Sequence, residues 1–295
     1  MSAEKQSMDR TLLHILNTVD YSIRNGLHGR LGGLRPSERR GSSVEWKEYS
    51  EYMPGDDIRR IDWNLAARFD RYYTKHFLDE QRLTMHVYLD VSGSMALGNK
   101  AQMARQLAEA FGYLAVRRSD IAAFRLLRGS ECIHLDGNLL TERAFYQTAA
   151  KLEKTVFEGD TDIFAAIRSE LAPGYRDGIS FLISDLLTPS DWKAAIGFLR
   201  SKKREVALIH ILSQDEISPP AAELCMMNNI EIGGDSLQMS IDRGALQAYR
   251  KAFDEWMENI RQFCAHNHVM YFFVESHENI AKALLKKGHQ SGLIR

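Results

Sequence analysis

HVYLDVSGSM, residues 86–95, is a run of β-forming residues that stops on an acid and continues into two serines separated by one glycine. Aromatic and β-branched residues followed by small turn formers describe a strand that leaves its sheet through a tight loop. What lies downstream decides the kind of sheet. AQMARQLAEAFGYLAV (101–116) places Ala104, Leu107, Ala108, Phe111 and Leu114 on one helical face. IAAFRLL (121–127) and ECIHL (131–135) are strand-like, and LTERAFYQTAAKLE (140–153) is a helix with Thr141 as its cap. TDIFAAIRSELA (161–172) reads as a helix, GISFLISDL (178–186) as an apolar strand, and SDWKAAIGFLRSKK (190–203) as a helix capped by Ser190. EVALIHIL (205–212) is another apolar strand, IEIGGDSLQMSI (230–241) a hairpin turning at Gly233–Asp235, and 245–264 a long helix. That helix is expected to bury a stripe of Leu246, Tyr249, Phe253, Trp256, Met257, Ile260 and Cys264. VMYFFVES (269–276) and ENIAKALLKK (278–287) close the alternation as a strand and a helix. Strands apolar on both faces, alternating with helices, predict a doubly wound α/β domain with a mainly parallel sheet covered on each side.

Upstream the rhythm is different. Residues 8–25 carry Leu12, Leu16, Val19 and Ile23 at helical spacing, so one amphipathic helix is expected. NGLHGRLGGLRPSERRGSS (25–43) is rich in glycine and arginine and reads as a linker. Residues 44–80 are polar and aromatic with poor periodicity. The expected division is an N-terminal accessory segment, 1–80, and the α/β domain, 81–295.

Composition narrows the function. A 295-residue chain that is 44% hydrophobic can bury a sizeable core, and its net charge of -1 offers no global attraction to nucleic acid or to a membrane surface. Arg24, Arg30, Arg35, Arg39 and Arg40 sit in the glycine-rich stretch with few aromatics, which reads as a solvated loop. Three distant cysteines without CxxC spacing argue against disulfides and zinc and suit a reducing, cytoplasmic setting. The N-terminal residues do not read as a secretory signal, and no apolar run reaches the ~18 residues of a membrane helix.

In an open parallel sheet, ligands bind beyond the carboxyl ends of the strands. Asp90 stands at such an end, with Ser92 and Ser94 in the loop that follows. One carboxylate and two hydroxyls are hard oxygen donors, suited to magnesium or manganese. Thr161 opens a helix after a Gly-Asp turn and Asp185 ends another buried strand, so three loops could converge on one ion. The order DVSGS, GDT, SD resembles the metal-ion-dependent adhesion site of von Willebrand factor A domains. That resemblance implies Asp90, Ser92, Ser94, Thr161 and Asp185 as the metal set, an open coordination position that takes a partner's carboxylate, and binding rather than catalysis.

A second stretch, EYSEYMPGDDIRRIDWNLAARFDRYYTKHFLDE (48–80), resembles the bacterial domain of unknown function 58 family, von Willebrand factor A-like proteins encoded beside MoxR-type AAA+ ATPases. The matching residues are Arg40, Gly41, Tyr52, Pro54, Gly55, Asp56, Asp57, Arg59, Ile61, Asp62, Trp63, Ala67, Arg68, Lys75 and Glu80. The resemblance implies a partner ATPase and a chaperone-like role in maturing a protein complex. Pro54 and Gly55 suit a tight turn, Asp56 and Asp57 can cap it, and Arg59, Arg60, Asp62 and Arg68 could pair around Trp63 as an apolar anchor. The functional reading of the segment is a docking surface; the simpler one is a structural brace, since mixed acids and arginines more often pair to hold a loop than perform chemistry. Asp215 and Glu216 resemble an acidic motif of the family, but the nearby proline is displaced.

The rival class is a metal-dependent phosphatase or other hydrolase. A haloacid-dehalogenase-type phosphatase needs a second acid where this chain has Ser92, and a serine hydrolase needs a GxSxG elbow that Asp90-Val91-Ser92-Gly93-Ser94 does not form. No phosphate-binding GxxxxGK[ST] motif occurs, so ATP hydrolysis is not expected of this chain.

Overall fold

The computed structural model describes residues 10–21, 35–54, 56, 58–69, 71–170, 178–219, 222–229, 234–241 and 243–294. Contacts divide them into two units, one holding residues 10–21 and 83–294, the other residues 35–82. The sequence expectation placed the first helix in the accessory segment. The structure folds α1 (Arg10–Thr18) into the sheet unit, because Leu12, Leu16 and Val19 share that unit's main core. Asn17 accepts from the Tyr113 hydroxyl at 3.0 Å, and Arg117 donates to the carbonyls of Asn17 and Val19 at 2.7 Å each. The helix is shorter than the expected 8–25. It stops where the Thr18 hydroxyl turns back onto the Ile15 carbonyl, and Tyr21 already forms a bridge to Ile294.

The smaller unit holds β1 (Arg35–Glu51), α2 (Trp63–Phe69) and β2 (Tyr73–Gln81), with β1 and β2 antiparallel. Residues 35–43, expected as linker, are therefore strand. Three register shifts let a long β1 pair with a nine-residue β2, and such bulges erase the period-two signal from the sequence.

In the larger unit the chain runs β3 (Thr84–Asp90), α3 (Lys100–Arg117), β4 (Ile121–Arg128), β5 (Glu131–His134), α4 (Glu142–Glu153), α5 (Ile163–Glu170) and β6 (Gly178–Ser184). It continues through α6 (Trp192–Ser201), β7 (Glu205–Leu212), α7 (Gln214–Ile217), β8 (Ala222–Asn229), β9 (Gly234–Ile241), α8 (Arg243–His266), β10 (Met270–Glu275) and α9 (Ile280–Ala283). The sheet order is β10-β7-β6-β3-β4-β5, parallel except for the edge strand β5. This is the expected doubly wound α/β fold. In the β8–β9 hairpin Gly234 and Asp235, expected in the turn, belong to β9, with Gly234 paired to Asn229; Gly233 lies outside the described residues.

Alternation along the strands builds two cores. Ile179, Phe181 and Ile183 of β6 face one core with α1, α3, α4 and α9, while Leu182 joins α5, α6 and α8 in the other. Phe111 of α3 stacks on Phe181 at 4.4 Å. The buried stripe of α8 starts later than expected: Tyr249 is exposed, whereas Met257, Ile260 and Cys264 are buried. Among the described residues no helix is long and apolar enough to cross a membrane.

Gly112 shows how tightly α3 lies on β4. A Cβ there would overlap the buried Phe124 ring. Gly112→Ala is therefore expected to destabilise the domain by about 1–3 kcal/mol, despite the roughly 1 kcal/mol that alanine gains in a helix. Urea unfolding checks this, and a variant as stable as the parent would show that the ring yields freely.

Candidate metal centre

The winding of the sheet changes direction at β3, with β4 on one side and β6 on the other. A crevice at such a switch point is where α/β sheets bind ligands. Asp90 ends β3, and Asp185 follows β6 directly.

Backbone bonds fasten the three loops together. Gly93 N–H donates to Gly159 O at 2.7 Å, and Glu158 N–H to Val91 O at 2.9 Å. These bonds seat the Thr161 loop against the DVSGS loop. Thr161 also bridges Gly129, and its carbonyl accepts from the Thr188 hydroxyl at 2.7 Å, which ties in the loop after β6. Ser184 completes the join, donating from Oγ to Asp90 Oδ2 at 2.7 Å.

All five expected ligands are buried at this edge: Asp90, Ser92, Ser94, Thr161 and Asp185. The other oxygen of Asp90, Oδ1, accepts from Ser92 N–H at 3.0 Å. The Ser92 and Ser94 hydroxyls contact each other at 3.0 Å, and Thr161 Oγ1 donates to Leu127 O at 3.3 Å. Each of these oxygens keeps a lone pair for a further partner. Burial, together with the charge of Asp185, pushes the Asp90 carboxyl up to about 6. A buried acid whose proton affinity is raised by burial and by the charge of a second buried acid is a place where a cation is favoured. The donor set fits a hard divalent ion, with Asp90, Ser92, Ser94, Thr161 and Asp185 able to hold it directly or through water.

Two residues at this edge, Lys100 and His210, have no sequence signature. Lys100, at the start of α3, donates to Asp185 Oδ2 at 2.7 Å and also to Glu216 Oε1. Glu216 thus reaches the metal edge through Lys100; Asp215 is exposed. His210 is buried, and burial pushes it down to about 4, so it is neutral. Its Nε2 lies 3.1 Å from the Asp185 carbonyl and its Nδ1 2.8 Å from the Tyr271 hydroxyl. A carbonyl only accepts, so Nε2 carries the proton and Nδ1 accepts from Tyr271, which fixes the backbone of Asp185.

The signature of the smaller unit has a local role. Asp62 Oδ1 caps α2 by accepting from Asn64 N–H at 2.9 Å and Leu65 N–H at 3.3 Å, while Oδ2 accepts from the Tyr49 hydroxyl at 2.8 Å. Pro54 and Asp56 form the expected turn, with Asp56 bonded to Met53 through both backbone and side chain. Gly55 and Asp57 lie outside the described residues. Arg59 and Arg68 are exposed. Trp63 is not the expected anchor: at the first position of a seven-residue helix it is 63% exposed and meets Tyr72 edge-on. At α6 the cap is Asp191, not Ser190; the Ser190 hydroxyl instead donates to Asp162 at 2.9 Å.

A parallel sheet switching at β3, with an Asp-x-Ser-x-Ser loop beside threonine and aspartate loops, defines a von Willebrand factor A-like domain. More narrowly, the chain belongs to the family described as Protein of unknown function DUF58, which matches residues 48–262. The uncharacterized protein Rv1480 of Mycobacterium tuberculosis is 24% identical over 233 residues, covering 76% of this chain and 73% of that protein. Among solved structures, the conserved hypothetical protein BatB from Bacteroides thetaiotaomicron aligns over 71% of this chain and 98% of its own, at 13% identity and a TM-score of 0.42. The SpRpn10 VWA domain aligns over 70% of this chain and 94% of its own, at 9% identity and a TM-score of 0.39.

Proposed function

We propose that this protein is a non-enzymatic adaptor that holds a divalent ion, magnesium or manganese, at Asp90, Ser92, Ser94, Thr161 and Asp185, and uses it to grip an acidic residue of a partner protein. One observation carries the reading: an acid at the switch point, raised in proton affinity by its burial and by a second buried acid, and flanked by three buried hydroxyls. When bound, the ion supplies a Lewis-acidic position for a carboxylate oxygen. The chain's own residues orient it. Ser184 and Ser92 hold the Asp90 carboxylate, and Leu187 N–H holds Asp185 Oδ1 at 3.0 Å. A hydrolase reading gains nothing from the geometry, since the bonding partner of the Ser92 hydroxyl is Ser94 rather than a base. The expected collaborator is a MoxR-type AAA+ ATPase, with this protein presenting a client during maturation of a complex.

Thermal unfolding in magnesium, manganese or chelator tests the metal. At about 100 times the dissociation constant, a bound ion adds about 2.7 kcal/mol of stability. The wild type should show a metal-dependent rise in Tm, and Asp90→Ala should show none. An equal rise in both proteins would place the ion elsewhere. For the ATPase, binding to the immobilised adaptor with and without chelator asks whether the same edge is used.

A further inference from the structure

Lys100 is the most fully enclosed charge at this edge, with a side chain 0% exposed. Burying an ammonium costs several kcal/mol even after relaxation, so its position needs a reason. Its two acceptors are of different kinds. Asp185 is a candidate metal ligand, whereas Glu216 stands outside the ligand set and is 16% exposed. Glu216 is held by the loop after β7. Its Oε2 accepts from Ser213 N–H at 2.7 Å and Ser213 Oγ at 2.9 Å, in the capping box that opens α7. The loop after β7 therefore fixes how the ammonium is shared between the two acids.

We propose that Lys100 is a built-in counter-cation that tunes the candidate metal centre: it holds back part of the negative charge of Asp185, so that a bound divalent ion keeps charge with which to attract a partner's carboxylate. The inference rests on the metal reading above. The charges give it direction. One ammonium against Asp90, Asp185 and Glu216 leaves two negative charges, which a divalent ion balances. Without Lys100, three acids would face the ion. Metal would then bind more tightly, but its attraction for a further carboxylate would fall. Without the Glu216 charge, the ammonium would serve Asp185 alone and both effects would reverse. A lysine that merely braced the fold would weaken metal and carboxylate binding together when removed.

The test uses the full chain, with Lys100→Met and Glu216→Gln as separate variants. Manganese affinity is read from the electron paramagnetic resonance signal of the free ion. Carboxylate affinity is then read by titrating acetate into the manganese-loaded protein and following water-proton relaxation, with acetamide as the neutral control. Lys100→Met should bind manganese roughly tenfold more tightly and acetate more weakly. Glu216→Gln should bind manganese more weakly and acetate more tightly. Equal or weaker manganese binding by Lys100→Met overturns the proposal, as does an unchanged acetate affinity. If circular dichroism shows Lys100→Met unfolded, Glu216→Gln decides, and unchanged or tighter manganese binding there overturns it. A wild type that binds no manganese sinks the metal reading itself, and this inference with it.

Discussion

Glu170→Ala is expected to cost about 3–5 kcal/mol of stability, the usual loss when one partner of a buried ion pair is removed. Arg125 lies on a central strand at 1% exposure and donates from Nε to Glu170 Oε1 at 2.5 Å. The Tyr88 hydroxyl donates to Glu170 Oε2, also at 2.5 Å, and Arg204 donates to that hydroxyl at 2.7 Å. Alanine removes the acceptor that two of these donors share. Glu170→Gln keeps the shape and one acceptor and should lose less. Chemical unfolding of both variants measures the difference, and a loss under about 1 kcal/mol for alanine would show that the pair is replaceable. The same cluster brings ligand atoms of Cys132, His134 and Glu170 within 4.8 Å of one another. Glu170 is already committed to Arg125 and Tyr88, and burial with the charge of Glu170 pushes the Cys132 thiol up to about 12. The cluster is accounted for as a structural network.

Glu109→Gln should stabilise the protein, by an amount that grows with pH. Glu109 is buried on α3, and burial followed by the charge of Glu153 pushes its carboxyl up to about 8, against the opposing charge of Arg105. Its ordinary value is 4.5. Between these limits the folded chain keeps a proton that the unfolded chain has released, so stability falls as pH rises. The slope reaches about 1.4 kcal/mol per pH unit. Glutamine removes the titration: the variant and the parent should be close near pH 4 and differ by a few kcal/mol near pH 8. Urea midpoints across that range check it. Parallel pH profiles for the two proteins would mean that Glu109 is ionised in the fold at no cost.

Much of this molecule is legible without its coordinates. Apolar strands such as GISFLIS and EVALIHIL, alternating with amphipathic helices, determine a parallel sheet covered on both faces. DVSGS at a strand end marks the candidate functional edge, because strand ends and hydroxyl-rich turns are short-range features. The accessory unit is less legible, since bulges in β1 break the alternation and Trp63 looks like a core residue although it is exposed. The electrostatics of the candidate metal centre belong to the tertiary structure alone. Lys100 reads as an ordinary first-turn lysine and Ser184 as a polar interruption of a strand, while Glu216 resembles a family motif without showing what it would meet. Ser184 meets Asp90, and Lys100 meets both Asp185 and Glu216, only because the strand order places β3 beside β6 and β6 beside β7. The pairs Lys100–Asp185 and Lys100–Glu216 span 85 and 116 residues of chain. Periodicity reports which face of an element is apolar. Which distant charges share one desolvated space depends on how the chain crosses the sheet.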